Sequence, residues 1–189
     1  MSFDLGASLR RLKPDKHTAP LKRRPDSKLQ FVGEHTITGQ GVLLDTSVYI
    51  DMLRNRAPPE LDDLFRSQQV NHSAVALAEL VHLFGRLDPL HRDTGRLLAR
   101  IEATIAKIPS HRLAAPSTRA LAEAGIVTGT IARLTGIAKV DRQPLFNDAT
   151  LFMQAQENGY TLLSGNVADM DLIGQLVPAG RVLLYRRTH

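Results

Sequence analysis

The sequence predicts an α/β fold in which a central, mostly parallel sheet of five strands is flanked by helices. Short apolar runs alternate with longer stretches of helical periodicity through residues 41–189, which is the pattern of linked strand–helix–strand units. The runs are continuously apolar, as in GVLL and YTLLS. Strands alternate apolar and polar residues when one face meets water, so continuous runs indicate that helices cover both faces of the sheet.

Five runs are predicted to be the strands. The first is GVLL, directly before Asp45, and the fourth is YTLLS at residues 160–164. Shorter candidates lie at residues 69–72 and within HRLAAPS at residues 111–117, and the fifth is RVLLYRR at residues 181–187. Residues 29–33 alternate weakly and would suit an additional edge strand.

Residues that typically begin or end helices, together with the spacing of apolar residues, predict the helices between these strands. One helix follows Asp45 directly, and a second opens at Pro58 and runs to about Arg66. Ser73 is a typical N-cap for the apolar stretch AVALAELVHLF. Residues 90–108 place apolar side chains at three- and four-residue spacings, the clearest amphipathic pattern of the chain. Further helical stretches cover residues 117–137 (as one or two helices), residues 144–158, and the interval between the last two strands.

Composition places the chain among ordinary globular proteins. Of its 189 residues, 43% are hydrophobic and 23% are charged, which excludes a wholly disordered or collagen-like chain. The absence of cysteine excludes disulfides, thiolate-bound zinc, iron–sulfur clusters and a thiol nucleophile. No apolar run reaches the length of about 18 residues that spans a membrane. The N-terminal residues contain no apolar stretch of the kind found in secretory signal peptides. A soluble cytoplasmic protein without membrane contact is therefore expected.

Positive charge is concentrated in residues 1–40, which we expect to form a basic, flexible N-terminal extension. This segment carries eight Lys or Arg and four Asp or Glu, whereas residues 41–189 carry 16 and 15. Its run KHTAPLKRRPDSK has two prolines and few large apolar residues, so burial would not offset the entropy lost on ordering. Two roles are compatible with it: a solvated leader, or a basic arm that contacts phosphate backbones or an acidic partner.

Four acidic side chains stand out because of where the fold would place them. Asp45 ends the first strand and Asp169 follows the fourth, and ligands of such sheets bind beyond the carboxyl ends of the strands. Glu79 lies within an apolar helix, and Asp148 shares a helical face with Phe152.

Each of the four also has a purely structural interpretation. Asp45 would cap the helix after it. Asp169 would cap the short helix that follows, or Asp171 rather than Asp169 would be the functional acid. Asp148 would suit a first helical turn, where the helix dipole favours an acid, and Glu79 would point to solvent.

Taken as a set, the four carboxylates predict a metal site. Two carboxylates about 4 Å apart repel by about 4 kcal/mol at an effective dielectric near 20. A cluster of them therefore requires a cation or raised pKa values. Oxygen ligands without cysteine suit Mg²⁺ or Mn²⁺ rather than zinc, and such a cation suits phosphodiester hydrolysis.

Four motifs that carry these residues resemble those of PIN-domain nucleases. LLDTSVYID resembles the first motif of the family, SAVALAEL the second, NDATLFMQA the third and TLLSGNVADMDLI the fourth. They follow the family order, and their acidic residues are 34, 69 and 21 positions apart. Departures from the family pattern are Met170 in place of Phe, and Ser164 in place of Thr, which keeps a hydroxyl. In size the chain resembles the VapC-type toxins of bacterial toxin–antitoxin pairs.

The resemblance implies a PIN-like three-layer sandwich over residues 41–189 and an Mg²⁺- or Mn²⁺-dependent endoribonuclease. It also implies a cognate antitoxin as partner and a homodimer. The residues that the resemblance assigns to catalysis and metal binding are Asp45, Glu79, Asp148 and Asp169, and those it assigns to their support or to phosphate binding are Thr46, Ser47, Ser164 and Asn166.

The expected chemistry is in-line attack on an RNA phosphodiester by a water activated by the metal. This route needs no 2′-hydroxyl, so the preference for RNA comes from the resemblance and not from the residues. Arg54, Arg56 and Arg142 are expected to meet substrate phosphates. Six Phe, three Tyr and no Trp are too few to indicate a platform for base stacking.

Several alternatives stay open or are disfavoured by single residues. A haloacid-dehalogenase-type phosphatase normally needs an acid where Ser47 stands, and a receiver-like domain needs a Lys after a later strand. A non-catalytic PIN-like scaffold that binds RNA or protein, and a housekeeping RNA-processing nuclease, remain open. The apolar stripes of residues 90–108 and 117–137 would form either a dimer contact or part of the chain's own core.

Overall fold

The computed structural model describes residues 3–34, 39–136 and 142–188, with the side chain of Arg142 left out. Five parallel strands form its sheet, in the order β3-β2-β1-β4-β5, so the predicted α/β fold and all five predicted strands are confirmed. Residues 29–33 add only a single parallel bridge, between Phe31 and Leu184. The strands are β1 Val42–Leu44, β2 Val70–Ser73, β3 Leu113–Ala114, β4 Thr161–Ser164 and β5 Val182–Leu184.

Helices cover both faces of this sheet. The stretch at 117–137, for which one or two helices were predicted, is a single helix, and the helix predicted to begin at Pro144 begins two residues earlier. Short 3-10 turns lie at Pro14–Lys16, Asp26–Lys28 and Ser110–Arg112. The helices are α1 Leu5–Leu12, α2 Thr46–Leu53, α3 Glu60–Ser67, α4 Ala74–Arg86, α5 Thr94–Ile105, α6 Thr118–Thr135, α7 Arg142–Glu157 and α8 Val167–Leu176.

The register of the central strands brings three strand ends to one edge of the sheet. Val42 of β1 pairs with Val70 of β2 and with Thr161 of β4, all in parallel. Asp45 therefore follows β1 at the same edge where β2 ends and where Ser164 ends β4. This edge is the one at which parallel α/β sheets bind their ligands.

Both faces of the sheet are buried in a single hydrophobic core. Leu43 and Leu162 are essentially inaccessible to solvent, which agrees with their place in continuous apolar strands. The apolar stripes of α5 and α6 also face this core, since Ile101 and Ile131 are fully buried. The central part of each stripe therefore packs within the chain, whereas Leu90 and Leu121 are exposed.

The N-terminal segment is anchored more firmly than its composition suggests. Leu12, Leu29 and Phe31 are buried in the common core, and the guanidinium of Arg11 pairs with the buried carboxylate of Glu123. A few well-placed apolar side chains thus hold a segment whose average composition is polar. Average composition missed these anchors because contacts such as Arg11 with Glu123 and Phe31 with Leu184 join residues more than 100 positions apart in the sequence.

No helix in the part of the chain that the structure describes is long and apolar enough to cross a membrane.

Candidate active site

Asp45 lies at the centre of the candidate site, directly after β1. Its side chain is 1% exposed, and its Oδ2 accepts hydrogen bonds from Ser47 Oγ and Ser164 Oγ, each at 2.6 Å. Helix α2 begins without a capping hydrogen bond from this side chain, so the capping interpretation is wrong. Two neighbouring strand ends, β1 and β4, thereby hold one carboxylate in a fixed orientation.

Glu79 reaches the same edge from α4. Its carboxylate accepts a hydrogen bond from Thr46 Oγ1 through one oxygen and from Asn147 Nδ2 through the other, at 2.8 Å. The half-buried side chain lines a cavity together with His82. Glu79 therefore faces the candidate site and links α4 to α2 and α7.

Asp148 and Asp169 are joined by the amide of Asn166. The Asn166 Nδ2 donates to Asp148 Oδ2 at 2.7 Å and to Asp169 Oδ2 at 2.8 Å. Asn166 is also the N-cap of α8, because its Oδ1 accepts from the backbone N–H of Asp169. Asp148 lies in the second turn of α7 and is only 8% exposed, which excludes the first-turn explanation. Asp171 does not replace Asp169, because it pairs with Arg24 on another side of α8.

The pKa values of Asp148 and Asp45 are raised by burial and by the charges of neighbouring carboxylates. Burial raises the pKa of Asp148 to about 9, and the charges of Asp45, Asp169 and Glu79 act in the same direction. Burial also raises the pKa of Asp45, against the hydroxyl hydrogen bonds that lower it, and the charge of Glu79 raises it further. Such uncompensated like charges in one place are typical of functional sites.

A cavity of about 1060 Å³ opens over this cluster. Eight of the residues predicted from sequence line it, whereas Asp169 and Ser164 do not line it but form hydrogen bonds with Asn166 and Asp45, which do. The side chain of Arg142 lies outside the described part of the chain. The predicted residues that line the cavity are Asp45, Thr46, Ser47, Arg54, Arg56, Glu79, Asp148 and Asn166.

The chemistry of this donor set fits a hard divalent cation. The cluster offers carboxylate and amide oxygens, which Mg²⁺ and Mn²⁺ prefer, and it concentrates negative charge that a cation would neutralise. As the side chains stand, hydroxyl and amide groups hold several carboxylate oxygens. Within residues 3–34, 39–136 and 142–188, no three His, Asp or Glu side chains are grouped as a ready-made metal site.

Sequence reasoning missed a second polar group at the cavity. Asp51 of α2 is fully buried and accepts hydrogen bonds from Arg56 Nη2 at 2.7 Å, Arg187 Nε at 2.7 Å and Tyr185 Oη at 2.9 Å. Arg56 and Arg187 both line the cavity. Asp51 stands at a periodic position of a helix in the sequence, but nothing there pairs it with residues more than 130 positions away.

No protein-family profile matches the chain, and no curated protein matches it.

Solved structures share the fold. A chain of the crystal structure of VapBC2 from Rickettsia felis, bound to a DNA fragment from their promoter, matches with a TM-score of 0.53 and 14% identity, over 76% of this chain and 97% of that one. A chain of DNA-bound VapBC from Salmonella typhimurium matches with a TM-score of 0.52 and 21% identity, over 75% and 96%. FitAcB from Neisseria gonorrhoeae matches with a TM-score of 0.52 and 18% identity, over 76% and 96%. At these identities the likeness shows the fold alone.

Proposed function

We propose that this protein is an Mg²⁺- or Mn²⁺-dependent endoribonuclease whose site is formed by Asp45, Glu79, Asp148 and Asp169. The observation that carries the proposal is that these carboxylates lie together at one edge of the sheet, where burial and the charges of the other three raise the pKa of Asp148 to about 9. A buried cluster of like charge is costly for a fold unless it serves a function such as cation binding.

Each side chain has a distinct task in this mechanism. Asp45, Glu79, Asp148 and Asp169 would hold the metal, which when bound lowers the pKa of a water and polarises the scissile phosphate. Ser47 and Ser164 orient Asp45 through their hydroxyl hydrogen bonds. The amide of Asn166 keeps Asp148 and Asp169 side by side. Asp148, whose pKa is raised to about 9, would have to lose its proton to serve as a metal ligand at neutral pH.

The cavity supplies the positive charge that a nucleic acid requires. Arg54, Arg56 and Arg187 line it beside the acidic cluster, and arginine binds phosphate oxygens through several N–H donors. The route through a metal-activated water leaves DNA chemically acceptable, so the preference for RNA rests on the resemblance to PIN-domain nucleases.

We further propose that the protein is the toxin of a toxin–antitoxin pair, acting in the cytoplasm as a homodimer held by a cognate antitoxin. The matched chains come from VapBC and FitAB complexes, which supports a protein partner. Exposed apolar side chains are available for such contacts, since Val81 and Phe84 of α4 are 45% and 43% exposed.

The test is cleavage of labelled structured RNA by the purified protein with Mg²⁺, with Mn²⁺ or with EDTA, next to single-stranded DNA. We expect cleavage only with metal, and its loss in Asp45→Asn. The matched control is Asp63→Asn, because Asp63 is an exposed carboxylate on α3 that does not line the cavity. Full activity of Asp45→Asn would overturn the assignment.

A non-catalytic scaffold that binds RNA or protein is the second candidate, and the hydrogen-bonded state of the carboxylates favours it. Protein donors already satisfy oxygens of Asp45, Glu79 and Asp148, as they would in a site that binds no metal. Titration with Mg²⁺ followed by calorimetry separates the two, because only the nuclease should bind the ion and release a proton from Asp148.

A further inference from the structure

Asp51 and the two arginines that bond to it, Arg56 and Arg187, form a group beside the cavity that the acidic cluster does not include. Asp51 is 0% exposed, whereas the side chains of Arg56 and Arg187 are 37% and 46% exposed. Arg56 follows the end of α2, and Arg187 follows β5 at the far end of the chain. A backbone hydrogen bond of 2.9 Å from Thr188 N to Arg56 O joins the two segments.

Asp51 fixes both guanidinium groups without using up their hydrogen-bonding capacity. Arg56 donates to its Oδ1 through Nη2, and Arg187 donates to its Oδ2 through Nε. Each guanidinium has five N–H donors, so most of the donors of each remain for another acceptor. The Nε of Arg56 is buried without a hydrogen-bond partner in the described part of the chain, so Asp51 is the acceptor that the structure gives this guanidinium.

The charges of this group do not cancel. Two guanidinium groups face one carboxylate, and the third donor to Asp51 is the neutral hydroxyl of Tyr185. One positive charge is therefore left at the wall of the cavity that also holds the acidic cluster. Neutralising Asp51 would need only one arginine, so neutralisation alone does not account for the pair.

We propose that Arg56 and Arg187 form a binding site for a backbone phosphate of a nucleic-acid strand, and that Asp51 is the positioning residue that holds both guanidinium groups toward the cavity. This inference rests on the proposed function, which it deepens by naming the part of the substrate that is recognised. Paired guanidinium groups suit phosphate because their donors match its oxygens in number and geometry. Recognition of a phosphate carries no base specificity.

The test is equilibrium binding of fluorescently labelled oligouridylate, and of oligodeoxythymidylate, to the full-length protein in EDTA at several salt concentrations. Arg187→Gln should weaken binding of both strands about tenfold at low salt, the effect of about 1.4 kcal/mol. It should also reduce the slope of log K against log salt by about 0.7 for each lost phosphate contact. Arg100→Gln is the matched control, because Arg100 is exposed on α5 and does not line the cavity.

Asp51→Asn separates positioning from bulk charge. This variant makes the protein more positive, so a general electrostatic attraction predicts tighter binding, whereas loss of positioning predicts weaker binding. A thermal unfolding curve establishes whether Asp51→Asn is folded. If it is not folded, the binding measured for Arg187→Gln decides the inference.

Unchanged binding in Arg187→Gln, or no binding by the wild-type protein, would overturn the inference. Because EDTA prevents metal-dependent hydrolysis, the result is independent of catalysis. Weakened binding in the variant would support the phosphate site even if the wild-type protein cleaved no RNA, in which case the proposed nuclease function alone would fail.

Discussion

Asp51 and Asp148 are two buried carboxylates whose surroundings are opposite in charge: Asp148 lines the cavity, and Asp51 bonds to Arg56 and Arg187, which line it too. Asp51 is surrounded by two guanidinium groups and a tyrosine hydroxyl. Asp148 is surrounded by three other carboxylates and the amide of Asn166, and its pKa is raised to about 9. Both side chains are nearly inaccessible to solvent, so burial alone does not distinguish them.

The difference separates a structural carboxylate from a functional one. A buried charge that is paired with its own counter-charges costs free energy when one partner is removed, because the remaining groups lose their partner. A buried carboxyl group among like charges has to keep its proton at a free-energy cost, as the raised pKa of Asp148 indicates, and the protein tolerates that cost where a ligand is to be bound. Replacing the carboxyl group should therefore have opposite effects on stability at the two positions.

The largest effect is expected for Asp51→Ala, which should lower the free energy of unfolding by about 3 kcal/mol. The substitution leaves two arginines and the buried hydroxyl of Tyr185 without their acceptor. Urea denaturation measures the change. Asp63→Ala is the control, because its pair with Arg66 is exposed and should contribute less than about 1 kcal/mol. Equal effects of both substitutions would contradict the comparison.

Gly165→Ala should lower the free energy of unfolding by about 2 kcal/mol, because the added methyl group would overpack the place where Ser47, next to the acidic cluster, and Tyr185, next to Asp51, come together. Gly165 donates its N–H to Ser47 Oγ at 3.0 Å, and an added Cβ would lie 2.7 Å from the ring carbon Cζ of Tyr185. Urea denaturation again serves as the measurement. The control is Gly174→Ala in α8, where an added Cβ meets nothing within 4 Å and helix propensity predicts a stabilisation of about 0.5–1 kcal/mol.

Asp148→Asn should raise the free energy of unfolding of the metal-free protein near neutral pH by at least about 1 kcal/mol. The ordinary pKa of 3.8 applies in the unfolded chain, whereas the folded protein holds the proton up to about pH 9. Between these values unfolding releases a proton, so wild-type stability should fall as the pH rises from about 4 to about 9.

Thermal unfolding in EDTA across this pH range provides the measurement for Asp148. The profile of Asp148→Asn should be flatter than that of the wild type, and the two proteins should be most alike at the acidic end. A profile of the wild type that rises with pH over the whole window would contradict the assigned electrostatics.

The smallest effect is expected for Arg24→Gln, which should lower the free energy of unfolding by about 1 kcal/mol. Arg24 Nε donates to the buried Asp171 at 2.6 Å, a third buried carboxylate that belongs with Asp51 as a paired one. The neighbouring Arg23, which pairs with Asp26 at the surface, supplies the control Arg23→Gln. If chemical denaturation gives both variants the same free energy of unfolding, the buried pair of Arg24 with Asp171 contributes no more than the surface pair of Arg23.

Much of the candidate site could be predicted from the sequence because its residues stand at positions that local patterns define. Asp45 ends an apolar strand and Asp169 follows another, so the parallel sheet had to bring them to one edge. The structure places both there, with Glu79 and Asp148 beside them. Their roles as metal ligands stay predictions.

The sequence by itself determined the α/β class, the five strands and the edge of the sheet at which the acids gather. These follow from hydrophobic periodicity and from residues adjacent in the chain. Only the tertiary structure decided that Asp51 holds Arg56 and Arg187, that Phe31 joins the core and that Arg24 reaches Asp171. The partners in these contacts lie far apart along the chain, and local propensity carries no information about which distant side chain neutralises a buried charge or fills a gap.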